Sequence, residues 1–126
     1  RDSRLEVIVG ISRDETFGPM IMVGLGGVLV EAFSDVAFRV APITRRDAED
    51  MIAEIRSFSI LLRGTSADLD AVVDVLLRVS KLAVDFPEIT EMDINPLVVF
   101  GPGNGTFCLD MRLSLAPVPS NGTLAK

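Results

Sequence analysis

The run Glu91-Met92-Asp93-Ile94-Asn95-Pro96-Leu97 constrains this chain more than any other stretch. In a strand over 89–100, Glu91, Asp93 and Asn95 share one face while Met92 and Ile94 share the other. Three oxygen-bearing side chains in a row are costly to bury and contribute little to sheet packing. Such a face is either open to water or built for a hard cation, and asparagine before proline at a strand centre favours the cation. Gly101-Pro102-Gly103-Asn104-Gly105 reads as a turn, with Cys108-Leu109-Asp110 on the returning arm. A five-residue loop pairs Phe100 with Thr106 and Pro96 with Asp110, whereas a four-residue loop pairs Asn95 with Asp110. Either register brings Asp110 within about one residue of Asn95, and a bulge corrects the face in the first. A carboxylate and an amide oxygen so placed suit Mg²⁺, which usually takes one or two protein oxygens and leaves the rest to water and substrate phosphates.

A chain of 126 residues makes one domain, or one lobe of a larger one. Surface scaling lets such a chain bury roughly two-thirds of its unfolded surface. The hydrophobic fraction of 48% and mean hydropathy of +0.42 agree and exclude disorder. No apolar run reaches the ~18 residues that span a bilayer, and the first residues are no signal peptide. The single cysteine, Cys108, allows no internal disulfide and fits a reducing cytoplasm. A net charge of −6 argues against a nucleic-acid surface. Histidine is absent, and the only lysines are Lys81 and Lys126. Histidine triads and zinc–histidine sites are therefore excluded, and a Schiff base is disfavoured. Chemistry here is electrostatic and metal-based, or borrows groups from another chain.

Residues 4–11 alternate as a strand with Leu5, Val7, Val9 and Ile11 on one side, and 17–23 reads as the returning arm of a hairpin. Ser12 to Thr16 read as the polar turn between them. Gly24-Leu25-Gly26-Gly27 breaks the pattern, Val28 to Ala32 reads as a short strand, and Val36 to Val40 as another. Thr44-Arg45-Arg46-Asp47 opens a helix in the manner of a capping box, with Ala48, Met51, Ile52 and Ile55 as its apolar face. Thr65-Ser66-Ala67-Asp68 offers a second start. From there Leu69, Val72, Val73, Leu76, Val79 and Ala83 form the stripe of a helix over 67–84 that Pro87 closes. Strands, two helices and a hairpin predict an α+β lobe: an antiparallel or mixed sheet with two main helices on one face. Residues 116–126 read as a linker or frayed tail after a lobe of 1–115, and the abrupt start predicts a fragment of a larger chain.

Several features have a plain structural reading beside a functional one. The Gly24–Gly27 run makes a sheet-corner turn or lets backbone N–H groups approach phosphates. Arg39 either lays its stem on the sheet with its head in water or pairs with an anion. Arg45 and Arg46 at a helix start oppose the dipole and read as solvated. Cys108 reads most simply as a small buried hydrophobe.

The strings Phe17-Gly18-Pro19-Met20-Ile21-Met22-Val23-Gly24-Leu25-Gly26-Gly27, then Glu31, Asp35-Val36-Ala37-Phe38-Arg39 and Ala41-Pro42, then Glu91 to Leu97, occur in this order. Over residues 4–113 the chain resembles the ATP-grasp domain of NDP-forming acyl-CoA synthetases, cousins of the succinyl-CoA synthetase β subunit. The resemblance implies the second, C-terminal lobe of that fold, the one carrying the magnesium ligands. It implies an acid–thiol ligase reaction in which acid, CoA and ATP give acyl-CoA, ADP and phosphate through a phosphohistidine. By position it implies Asn95 and Asp110 as metal ligands and Asp93 as the acid that steadies the phosphohistidine, with Glu91 behind it. Gly26, Gly27 and Arg39 match positions facing the nucleotide cleft, so the expected cofactors are Mg²⁺ and ATP or ADP. The expected partners are the first ATP-grasp lobe and the CoA-binding and ligase domains with the histidine, in cis or in another subunit. Nucleic acid and membrane are not expected. The fragment alone is expected to be inactive. Leu62-Arg63-Gly64-Thr65-Ser66 is shorter than the corresponding loop of relatives, which favours a competing expectation: a non-catalytic regulatory or assembly module that keeps the fold.

Overall fold

The computed structural model describes residues 5–26, 36–55 and 67–117. Alternation of apolar and polar residues builds β1 (Leu5–Asp14) and β2 (Gly18–Leu25), which pair antiparallel from Asp14↔Gly18 to Val7↔Leu25. The first strand runs past Ser12 to Asp14, so the turn is tighter than the polar run suggested. Asp14 closes it by accepting hydrogen bonds from the backbone N–H groups of Thr16 and Phe17, both at 2.8 Å. The second strand likewise continues through Gly24. That residue pairs with Ile8 on one side and Gly24↔Val36 continues the ladder to β3 (Val36–Val40) on the other. Two ladders outweigh the weak strand propensity of a glycine. The strand expected over Val28 to Ala32, and the loop Leu62 to Ser66, lie outside the described residues.

The capping box forms as read: Thr44 Oγ1 accepts from the Asp47 N–H while the Asp47 carboxylate accepts from the Thr44 N–H, opening α1 (Arg45–Glu54). Arg45 and Arg46 are held by Glu49 and Asp50 one turn on, and remain solvated. Asp68 caps α2 (Leu69–Asp85), one carboxylate oxygen accepting from Ala71 N–H and the other from Gly105 N–H at 2.8 Å. One aspartate therefore ties the helix start to the distal hairpin turn. The other end of α2 has no basic residue in its last turn. Arg13 reaches over from β1 instead, donating to the carbonyls of Ala83, Phe86 and Ile89.

After α2 come β4 (Ile89–Val99), β5 (Thr106–Cys108) and β6 (Met111–Leu115). All pairings described are antiparallel in a six-stranded sheet of order β3-β2-β1-β4-β5, with β6 beside β5 on the same edge of β4. Both helices cover one face, over Val7, Val9, Ile11, Ile21, Val23, Leu97 and Val99, so the expected architecture is the one observed. Ser80, the one buried polar residue among those described, accepts a hydrogen bond from Ile43 N–H at 2.9 Å and locks the α1 approach onto α2. The helices stop short of the last two strands. Phe107, Leu109, Met111, Leu113 and Leu115 are all exposed, and Cys108 is exposed with them rather than buried as its apolar neighbours suggested. Among the described residues no helix is long and apolar enough to cross a membrane.

Candidate metal and nucleotide face

The opposite face of the sheet carries no helix among the described residues, and its side chains follow from strand parity. One residue from each of five strands falls in a single row: Phe38, Met22, Gly10, Asp93 and Arg112. At about 4.8 Å per strand the row runs roughly 19 Å, from an aromatic and thioether end to a charged one. Gly10 matters at the middle. A Cβ there would lie 3.1 Å from the Met92 carbonyl oxygen and 3.5 Å from the Met22 methyl, so glycine is what lets β4 and the Met22 side chain close in at this point. Glu91 stands opposite Ser114, and Glu91, Asp93, Arg112 and Ser114 line one open depression of about 410 Å³.

The loop of four residues is the one realised: Phe100 N–H donates to Gly105 O at 3.0 Å, closing 101–104. The β5 and β6 ladders keep the same offset on either side of a break, from Val99↔Thr106 to Leu97↔Cys108 and again at Ile94↔Met111, and across that break Asn95 and Asp110 are backbone partners. Asn95 N–H donates to the Asp110 carbonyl at 3.1 Å, and Leu109 N–H to that of Pro96 at 3.1 Å. Alternation along β4 puts Asn95 on the same side as Asp93, and the backbone bond makes Asp110 its neighbour on the returning arm. Both are exposed. The extra residue that the Asn95–Pro96 pair inserts is taken up on the other side, where the β1–β4 register shifts between Val7 and Val9.

The donor set decides which ions fit. Among the described residues no three His, Cys, Asp or Glu side chains gather closely enough to hold a metal by themselves. A dedicated protein cage for zinc or calcium is thus not what this face offers. One amide oxygen and one carboxylate, exposed and adjacent, match an ion that keeps most of its coordination for water and phosphate.

The remaining expected residues fall elsewhere. Gly26 follows β2 with its N–H donated to Glu6 O at 2.7 Å, and a Cβ there would meet that oxygen at 3.1 Å. Its glycine identity answers to two backbones crossing closely. Gly27 lies outside the described residues. Arg39 is the ladder partner of the fully buried Ile21 and so belongs to the helix-covered face, where it forms an ion pair with Glu54 of α1. That hydrogen bond raises the Arg39 pKa and lowers that of Glu54. Arg39 is therefore on the side of the sheet opposite Asp93. Conversely, Arg112, Ser114 and Gly10 escaped the sequence reading. The signal for Arg112 was present: it lies two residues after Asp110 on the same arm, and it pairs with Asp93.

The sequence pattern of the ATP-grasp domain family matches residues 1–115. The chain is 54% identical over 117 residues to the ADP-forming acetate–CoA ligase I of Archaeoglobus fulgidus, covering 90% of this chain and 17% of that protein. It is 49% identical over 114 residues to the β subunit of ADP-forming acetate–CoA ligase II of Pyrococcus furiosus, covering 87% of this chain and 48% of that subunit. Among solved structures, acetyl-coenzyme A synthetase 1 of Candidatus Korarchaeum cryptofilum superposes with a TM-score of 0.82 at 43% identity, over 89% of this chain and 53% of that one. That structure contains coenzyme A and Mg-AMPPCP, with its phosphohistidine segment pointing towards the nucleotide binding site. A Pyrococcus horikoshii protein superposes with a TM-score of 0.86 at 47% identity, over 90% of this chain and 49% of that one. The chain thus spans about half the length of the β subunit it matches and less of the single-chain ligase.

Proposed function

The chain belongs to the ATP-grasp family, and we propose that it is the Mg²⁺-nucleotide-binding lobe of an NDP-forming acyl-CoA synthetase. The observation that carries this reading is the Asn95–Asp110 rung: two oxygen donors on adjacent arms of an open sheet face. Asn95 and Asp110 would hold Mg²⁺. Held there, Mg²⁺ would supply positive charge to offset that of the nucleotide's phosphates during phosphoryl transfer.

Asp93, one alternation along from Asn95, would accept a hydrogen bond from the imidazole that takes the phosphoryl group and so fix its orientation. Glu91 adds a second carboxylate beside it. Residues 1–115 would form the lobe and 116–126 its linker or tail. The lobe has no histidine, so the phosphorylated residue, the CoA site and the first ATP-grasp lobe would come from other segments or another subunit, and the lobe alone would not turn over. A cytoplasmic location, with no nucleic-acid or membrane partner, suits the acidic charge and the single free cysteine.

The test uses the complete protein with its partner domains. Mg-ATP at about a hundred times Kd should stabilise it by about 2.7 kcal/mol, seen as a rise in Tm. Asn95→Ala and Asp110→Ala should each remove the Mg²⁺-dependent part of that rise. An unchanged rise in both variants defeats the metal assignment. A wild-type protein that ignores Mg-ATP altogether points to a non-catalytic module.

A further inference from the structure

We propose that Arg112 is a phosphate-contacting residue, the cation that receives the terminal phosphoryl oxygens of the bound nucleotide. The inference rests on the nucleotide-binding reading and adds to it a residue that the reading does not use. Three observations carry it.

Arg112 faces Asp93 directly across the β4–β6 ladder and lines the same open depression as Glu91, Asp93 and Ser114. It lies two residues after Asp110 on the same returning arm, a span of at most about 6.8 Å, so its guanidinium can reach a phosphate held at the Asn95–Asp110 rung. Among the described residues it is also the one cation on this face. Arg13 and Arg39 serve the helix-covered face, and Arg45, Arg46, Arg78 and Lys81 pair with acids on or between the helices. No ion pair with a described residue holds Arg112, Asp93 included.

The charges on the face explain why a cation is needed there. Glu91, Asp93 and Asp110 set three carboxylates where a polyanion is to lie. A divalent ion offsets two of those charges, and without a further cation the terminal phosphate would meet net repulsion. A guanidinium offers parallel N–H donors matched to phosphate oxygens, which a point charge does not. The row is also polar in one direction only. Its Phe38–Met22 end is apolar, so the anionic end of a nucleotide is favoured at Arg112.

The test compares nucleotides that differ only in their phosphates. In the complete protein, Arg112→Met should weaken ATP binding about 10- to 100-fold, the scale of a charge-assisted hydrogen bond, measured by calorimetry in the presence of Mg²⁺. Binding of AMP and the Tm of the unliganded protein should be unchanged. Arg112→Lys should restore part of the ATP affinity. A general structural role would weaken ATP and AMP alike, and that result overturns the proposal. So does unaltered ATP binding in Arg112→Met while Asn95→Ala still loses Mg²⁺ dependence, an outcome that leaves the lobe's proposed function standing. Failure of the wild-type protein to bind ATP overturns both.

Discussion

Ser80 shows how a single hydroxyl can hold two elements in place. It is buried, and its oxygen is the acceptor for the Ile43 N–H just before α1. Ser80→Ala leaves that N–H without a partner, at a cost of about 1–3 kcal/mol, which a urea midpoint will register. The Arg39–Glu54 pair acts differently, through pH. Its hydrogen bond holds the Glu54 carboxyl below the usual value of about 4.3, and the Thr44 N–H and hydroxyl lower Asp47 in the same way. A lowered carboxylate pKa contributes stability above its unfolded value and loses it as pH falls through the folded one. Stability should therefore fall below about pH 4, and Glu54→Gln should flatten that acid limb in thermal melts between pH 6 and 3. Both pairs lie on the surface, so the slope will be shallow and will weaken with salt.

At the scale of elements, α2 is held at both ends by residues distant in sequence. Asp68 binds the hairpin turn through Gly105, and Arg13 supplies from β1 the positive charge that the last turn lacks. Arg13→Met keeps the apolar stem but removes donors to three carbonyls. It should cost about 1–3 kcal/mol. Amide exchange at Phe86, whose N–H bonds Leu82 O, should accelerate more than exchange in the middle of α2. The elements themselves were legible. The capping box, the apolar stripe of α2 and the Gly-rich turn rest on local chemistry, and each formed where its residues lie. Strand ends were less legible: Ser12 to Asp14 and Gly24 are extended because neighbouring strands supply ladder partners that no local pattern reveals.

For the whole molecule, the division is between what a period of two can say and what it cannot. Alternation along Glu91–Asn95, with a turn of restricted length, was enough to bring Asp110 to Asn95 and set Glu91, Asp93 and Asn95 on one side. The choice between two loop lengths stayed open until the turn closed on four residues, with Asp68 bound to Gly105. Parity likewise groups the residues of each strand into two sets without saying which set the helices cover. Packing settles that, and it moved Arg39 to the helix side with Glu54 and left Cys108 in the open beyond the reach of α2. The row from Phe38 to Arg112 joins residues from five strands, and only the assembled sheet makes them neighbours. Local chemistry determined the donors and their spacing because both depend on residues close in the chain. Which cation shares their face was decided by the tertiary structure, because that depends on which side the core buries.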